Sequence, residues 1–189
     1  SYRRRVFVQK HWKTALIIAA AAAVIGVFSG TILRKILEPR STRGYSPAQV
    51  VETFYRSVNA LDHEKMQDCV TGKARKELIQ TVINTYVISR VSLGYEGKSN
   101  LMPADEWERK GRPALKPPET VFGITGFQIR QEQGEPQPVF RVSYEYWLPA
   151  SGETEEGPPY GSTPIEARVY LRRLREYWVI YRIEAQPED

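Results

Sequence analysis

The chain is 189 residues long, 41% hydrophobic and 26% charged, with a formal net charge of +5 at pH 7. Its single cysteine, Cys69, excludes an intramolecular disulfide and any Cys-based zinc site, and its two histidines, His11 and His63, lie on opposite sides of the most apolar stretch and share no metal. The charge is uneven: residues 1–43 hold nine Lys and Arg against one Glu, whereas residues 44–189 hold eighteen against twenty-one acids, so no basic track with interleaved aromatics is left to follow a nucleic acid.

Residues 1–13 form a short basic tail, with Arg3, Arg4, Arg5, Lys10 and Lys13 and no acid. The run TALIIAAAAAVIGVFSGTIL, Thr14 to Leu33, follows without one charge. At a rise of ~1.5 Å per residue a helix of this length covers ~30 Å, the hydrocarbon thickness of a bilayer. A core helix of a small domain would carry more polar positions than Thr14, Ser29 and Thr31. A cleaved signal peptide draws support from the basic start and from Ala21-Ala22-Ala23, but the run stays apolar too long for an ordinary signal. The segment reads as an uncleaved transmembrane helix, residues 14–33.

Five Lys and Arg precede the span and four follow it (Arg34, Lys35, Arg40 and Arg43), which places the N-terminus in the cytoplasm and the remainder outside it. The basic tail is expected to face anionic lipid headgroups. Within the span Ala22, Gly26 and Gly30 recur every fourth residue, a small-residue stripe that lets two helix backbones approach closely. The stripe predicts packing against other membrane protein subunits or self-association; the alternative is that an alanine-rich run generates such spacing by chance.

Residues 34–45 are a polar linker broken by Pro39 and Gly44, and residues 46–186 suffice for one domain with one core. Ser46, Pro47 and Gln49 supply an N-cap, a first-turn proline and a capping-box partner. Val50, Val51, Phe54, Val58 and Leu61 then recur at helical spacing. Asp62 caps a second, shorter helix carrying Met66, Cys69 and Val70. A third begins near Gly72, carries the stripe Leu78, Ile79, Val82, Ile83, Tyr86 and Val87, and is expected to stop at Gly94. Residues 95–118 show no sustained period and read as a long loop with at most one helical turn, at ADEWERK.

The period then changes from helix to strand. TVFGITGFQIRQ and VFRVSYEYWLP are predicted strands around a turn at GEPQP, with Phe140, Val142, Tyr144, Tyr146 and Leu148 on one face of the second. After the acidic loop ASGETEEGPPYGST, PIEARVYLRRL sets Ile165, Ala167, Val169 and Leu171 against Glu166, Arg168, Tyr170 and Arg172. EYWVIYRIEA returns through a tight turn at Leu174–Glu176. Helices followed by an antiparallel meander predict an α+β domain with about three helices packed on one face of a curved sheet.

SPAQVVETFYRSVNALDHEKMQDCV resembles the opening of nuclear transport factor 2-like domains, the cone-shaped fold of ketosteroid isomerases and polyketide cyclases: an apolar-faced helix with an aromatic pair (Phe54-Tyr55), an acidic turn (Leu61-Asp62) and a short second helix. ARVYLRRLREYWVIYRIE is similar to that family's final hairpin, with Trp178 near the start of the last strand. The resemblance spans residues 46–186 and implies fold more than activity, because the fold hosts enzymes, ligand binders and assembly modules. A short tail, one span and a cone domain together also resemble the inner-membrane assembly factors of type IV secretion systems.

Enzymes of this family need an acid or base reaching into the cone. His63 directly follows the capping Asp62, where a solvated turn explains the pair better than a catalytic dyad does. Tyr86, Tyr144, Tyr146 and Trp178, with Trp147, are candidates to line a pocket, set against the plainer reading that they fill the core. No P-loop, G-x-S-x-G, H-E-x-x-H or EF-hand spacing occurs, so no catalytic residue, cofactor or metal is assigned. The sequence therefore predicts a membrane-anchored binding or assembly module in the plasma (inner) membrane with an extracytoplasmic domain. The alternative is a tethered small-molecule binder or an isomerase- or cyclase-like enzyme.

Overall fold

A computed structural model describes residues 40–72, 74, 76–150 and 158–185. The apolar run 14–33, with Ala22, Gly26 and Gly30, lies outside the described residues, among which no helix is long and apolar enough to cross a membrane.

Helix α1 (Pro47–Asn59) starts as its sequence dictates: Gln49 N–H donates to Ser46 Oγ at 3.3 Å and Ser46 N–H to Gln49 Oε1 at 2.8 Å, with Pro47 in the first turn. It buries Val50, Val51, Phe54, Tyr55 and Val58. Leu61 turns the chain at a φ of 52°, and the Asp62 carboxylate accepts from Lys65 N–H at 2.9 Å to cap α2 (His63–Cys69). Helix α3 (Lys76–Glu96) runs past the expected stop. Gly94 sits inside it, and the chain leaves the helix at Gly97, whose φ of 70° suits glycine and whose N–H reaches back to Leu93 O at 3.1 Å.

The stretch read as the loop 95–118 holds two elements. Strand β1 (Leu101–Pro103) pairs in parallel with the start of β2, and helix α4 (Ala104–Arg109) follows it directly. The rest of the sheet is the expected meander: β2 (Thr120–Gln131), β3 (Val139–Pro149), β4 (Tyr160–Leu174) and β5 (Tyr177–Ala185), in the order β1-β2-β3-β4-β5. β4 begins at Tyr160, four residues before the predicted strand. Register shifts between Thr125 and Gln128 and between Tyr170 and Leu171 mark bulges that bend the strands and curl the sheet. The end of α2 is tied to the outer strand by a Val70–Ile180 bridge and by Thr71 N–H to Ile180 O at 2.9 Å.

The concave side of the sheet, covered by α1, α2 and the first half of α3, holds the main core, in which Phe54, Tyr55, Met66, Phe122, Val142, Val169, Leu171 and Ile180 are buried. The opposite side carries a second, small core of Ala104, Trp107, Val121 and Trp147 beneath α4, flanked by Tyr160. Its rings meet edge to face, Trp107–Trp147 at 4.9 Å and Trp107–Tyr160 at 5.0 Å between centroids. The alternation read for β3 is corrected at its far end. Leu148, expected inside, is 37% exposed, because the helices of the concave side do not extend that far; Trp147, on the other face, is buried by α4.

Candidate functional site

The interior of the curled sheet is built around Tyr55, which α1 points at the strands. Its ring lies 5.2 Å from Phe54, 5.1 Å from Phe127 and 5.1 Å from Tyr144, so aromatic rings pack together inside the curl of the sheet. Among the described residues the buried serine and threonine side chains are Thr42, Ser57 and Thr125, the last accepting from Trp147 Nε1 of the second core at 2.9 Å. Cys69 is fully buried, and burial, reinforced by the nearby Asp68 charge, pushes its thiol up to about 12. Such a thiol stays protonated and is a poor nucleophile. Among the described residues, no group of three or more His, Cys, Asp and Glu side chains is placed to hold a metal.

The four proposed pocket-lining residues are spread over three elements. Tyr144 is buried on β3, and Tyr146, two residues on, lies half-buried with its ring 6.0 Å from Phe122. Trp178 is half-buried on β5, opposite Arg173, and packs on the main core. Tyr86 stands apart on α3, its ring 5.6 Å from His63 and 5.3 Å from the Arg90 guanidinium. His63 thus packs on Tyr86 of α3, while Asp62 Oδ1 accepts the capping bond of α2.

An open groove of about 400 Å³ lies elsewhere, between the start of α3 and the chain arriving from the N-terminal side. Arg40, Gln67, Thr71 and Lys76 give it polar walls, and Ile79 and Ile83 an apolar one. Arg40 is fastened there, its Nη1 donating to Asp68 O at 3.0 Å and Val70 O at 3.1 Å, while Ser41 N–H donates to Asp68 Oδ2 at 3.0 Å.

Two surfaces stand out beyond the interior. The outer face of the sheet brings Arg130, Arg141 and Arg168 into one cross-strand row that ends on Glu184. Like charges in register repel, and a single carboxylate offsets this: Glu132 Oε1 accepts from Arg141 Nη2 at 3.1 Å and Arg168 Nε at 3.2 Å. Beside the row Tyr170 O–H donates to Glu184 at 2.8 Å, which raises the phenol and, with Arg182, holds the carboxyl below its usual range. The Arg182 guanidinium lies 5.1 Å over Tyr170, and that of Arg172 5.5 Å over Tyr181. The sequence disperses these arginines and tyrosines over four strands, and only the pairing collects them. Glu132, Glu166 and Glu184 share the patch and offset much of its charge, which makes it a mixed Arg/Tyr/Glu surface.

The second surface is the exposed side of α3, where Val87 is 52%, Ile88 66%, Val91 52% and Tyr95 89% exposed. The sequence pattern placed Val87 in the buried stripe, but the core ends before the helix does. No protein-family model matches the chain, and no curated protein matches it.

Proposed function

We propose that the chain is a membrane-anchored, non-catalytic binding module, an accessory subunit whose span packs in a membrane complex and whose domain meets partners outside the cytoplasm. The observation that carries this reading is the aromatic filling of the concave core, where the Tyr55 ring packs against Phe54, Phe127 and Tyr144. Binding surfaces are instead offered outside: the Arg/Tyr/Glu face of the sheet and the apolar side of α3. Arginine and tyrosine are the residue types that most often anchor protein interfaces. The uncharged run 14–33 and its flanking charges support the anchor and its orientation.

Purification from membranes in mild detergent, followed by mass spectrometry, tests the module reading: co-purifying membrane subunits are expected. Gly26→Ile with Gly30→Ile should reduce their recovery without loss of membrane insertion, and unchanged recovery removes the packing role of the span. A reporter fused after Asp189 should be active only if it reports export. A chain that instead retains a small molecule, and loses it on Tyr144→Ala, would replace the module with the ligand-binding or enzymatic alternative.

A further inference from the structure

The groove where α2 gives way to α3 has an electrostatic character of its own. Two cations stand on its walls, Arg40 and Lys76, and none of the residues that line it is acidic. The sequence sets Lys73 and Arg75 on either side of Ala74, another lining residue, although residues 44–189 as a whole hold more acids than bases.

Arg40 is only partly committed. Its Nη1 donates to Asp68 O and Val70 O, at the end of α2, and these bonds fix the plane of the guanidinium. The fork offers more N–H donors than these carbonyls use. Among the described residues, Arg40 Nη2 and Nε and Lys76 Nζ have no acceptor. The rest of the lining is neutral. Lys76, Ile79, Gln80 and Ile83 recur at helical spacing and so share one side of α3. Buried Ile79 and half-buried Ile83 make an apolar wall, while Gln67, Thr71 and Gln80 add uncharged donors and acceptors.

We infer that this groove captures the C-terminal end of a partner polypeptide, with its free carboxylate on Arg40 and Lys76 and an apolar last side chain against Ile79 and Ile83. The inference rests on the reading of the domain as a binding module and names the chemistry of one partner. Charge complementarity selects an anion, and a carboxylate accepts two parallel bonds from a guanidinium whose plane is already set. A small hydrated anion makes no use of the isoleucine wall, so the ligand carries an apolar group as well. The amides and the hydroxyl match the peptide bonds that precede a C-terminus, which the tail of a fatty acid lacks. Size sets the limit. A volume of about 400 Å³ lies at the lower end of the ~300–1,000 Å³ of ligand pockets, room for the last few residues of a chain and too little for a folded surface.

The test uses the purified full chain in phosphatidylcholine nanodiscs and the fluorescein-labelled peptide Gly-Ser-Ala-Val-Leu, read by fluorescence anisotropy. The free acid is expected to bind about ten-fold more tightly than the same peptide ending in an amide, the effect of losing one charge-assisted contact. Lys76→Glu should weaken the acid by a similar factor and leave the amide unchanged. Lys76 is exposed in the first turn of α3, where an acidic residue is favourable, so the fold is kept. Lys98→Glu, just past the far end of the helix, should change neither. Equal binding of acid and amide, binding of neither, or no response to Lys76→Glu overturns the inference. Displacement of the peptide by octanoate as readily as by unlabelled peptide assigns the groove to a free fatty acid and overturns it as well. None of these outcomes touches the module reading, which stands or falls on the subunits recovered from native membranes.

Discussion

Asn59, the last residue of α1, links the helix to the sheet through one side chain. Its Nδ2 donates to Ile124 O at 2.9 Å and its Oδ1 accepts from Ile124 N–H at 2.6 Å. β1 ends opposite Phe122, so beyond that point β2 has no neighbouring strand on this side among the described residues, and the Asn59 carboxamide takes the place of one. Asn59→Ala leaves a donor and an acceptor of a nearly buried residue without partners. At ~1–3 kcal/mol for each orphaned group, offset where water enters, the expected loss is ~2–4 kcal/mol. Urea denaturation of residues 40–189, followed by tryptophan fluorescence, measures it. Gly123 supplies an internal check. Its φ is 128°, and a Cβ there would sit 2.2 Å from Asn59 Oδ1, so Gly123→Ala should be severe in the parent. In the Asn59→Ala background the overlap with Oδ1 is gone, while the backbone strain and a tight 3.3 Å approach to Ala104 Cβ remain, so the two losses should be less than additive. A loss below ~0.5 kcal/mol for Asn59→Ala, or strict additivity with Gly123→Ala, would refute the view that the carboxamide completes the sheet.

Trp178→Ala should cost about 2 kcal/mol, less than the ~3–5 of a fully buried tryptophan, because the ring is only half-buried, and melting curves of the domain read the difference. His63→Ala, which removes one ring contact with Tyr86, should cost no more than ~1 kcal/mol and leave partner recovery unchanged. Raising the pH should destabilise the native domain from about 9 upward. The Cys69 thiol, lifted from 9.0 to about 12, stays protonated in the fold while it ionises in the unfolded chain, so the unfolded state binds fewer protons and stability falls by up to ~1.4 kcal/mol per pH unit. Cys69→Ala should remove that slope, and a slope retained in the variant would assign it elsewhere. Glu132→Gln should lower the melting temperature at low salt by leaving Arg130, Arg141 and Arg168 facing one another, and the difference from the parent should shrink at about 1 M salt, where the Debye length is about 3 Å.

Local pattern carried much of the domain. The capping box at Ser46, the cap at Asp62, the limits of β2 and β3 and the turn before Tyr177 all follow from short-range chemistry that the sequence displays directly. Features set by distant partners were not legible. β1 has three residues and a parallel neighbour nineteen positions away, so it shows no alternation. α3 continues through Gly94 because one glycine costs a helix only ~1 kcal/mol and Gly97 offers the reversal instead. Trp147 reads as outward-facing until α4 is seen to cover that side, and the arginine row exists only once four strands are set in register. The alternation of β3 places Tyr144 and Tyr146 on one face, whereas the helical spacing of Tyr86 gives no sign that its ring meets His63.

Among the described residues, the tie between α2 and β5 leaves part of a strand uncovered. Val70 and Thr71 occupy the outer edge only at Ile180, and Tyr181 to Ala185 continue beyond it. An edge of this kind invites addition of a strand from a neighbouring molecule, a route to aggregation that natural sheets block with charge and irregularity. Both devices are present in this stretch: Arg182 and Glu184 carry charge, and the register shift at Tyr170/Leu171 disturbs the flat ladder a second strand would need. These residues consequently guard solubility as well as decorating a surface. Replacing Arg182 and Glu184 with β-branched apolar residues should leave each molecule folded and turn a monodisperse preparation into one that assembles edge to edge.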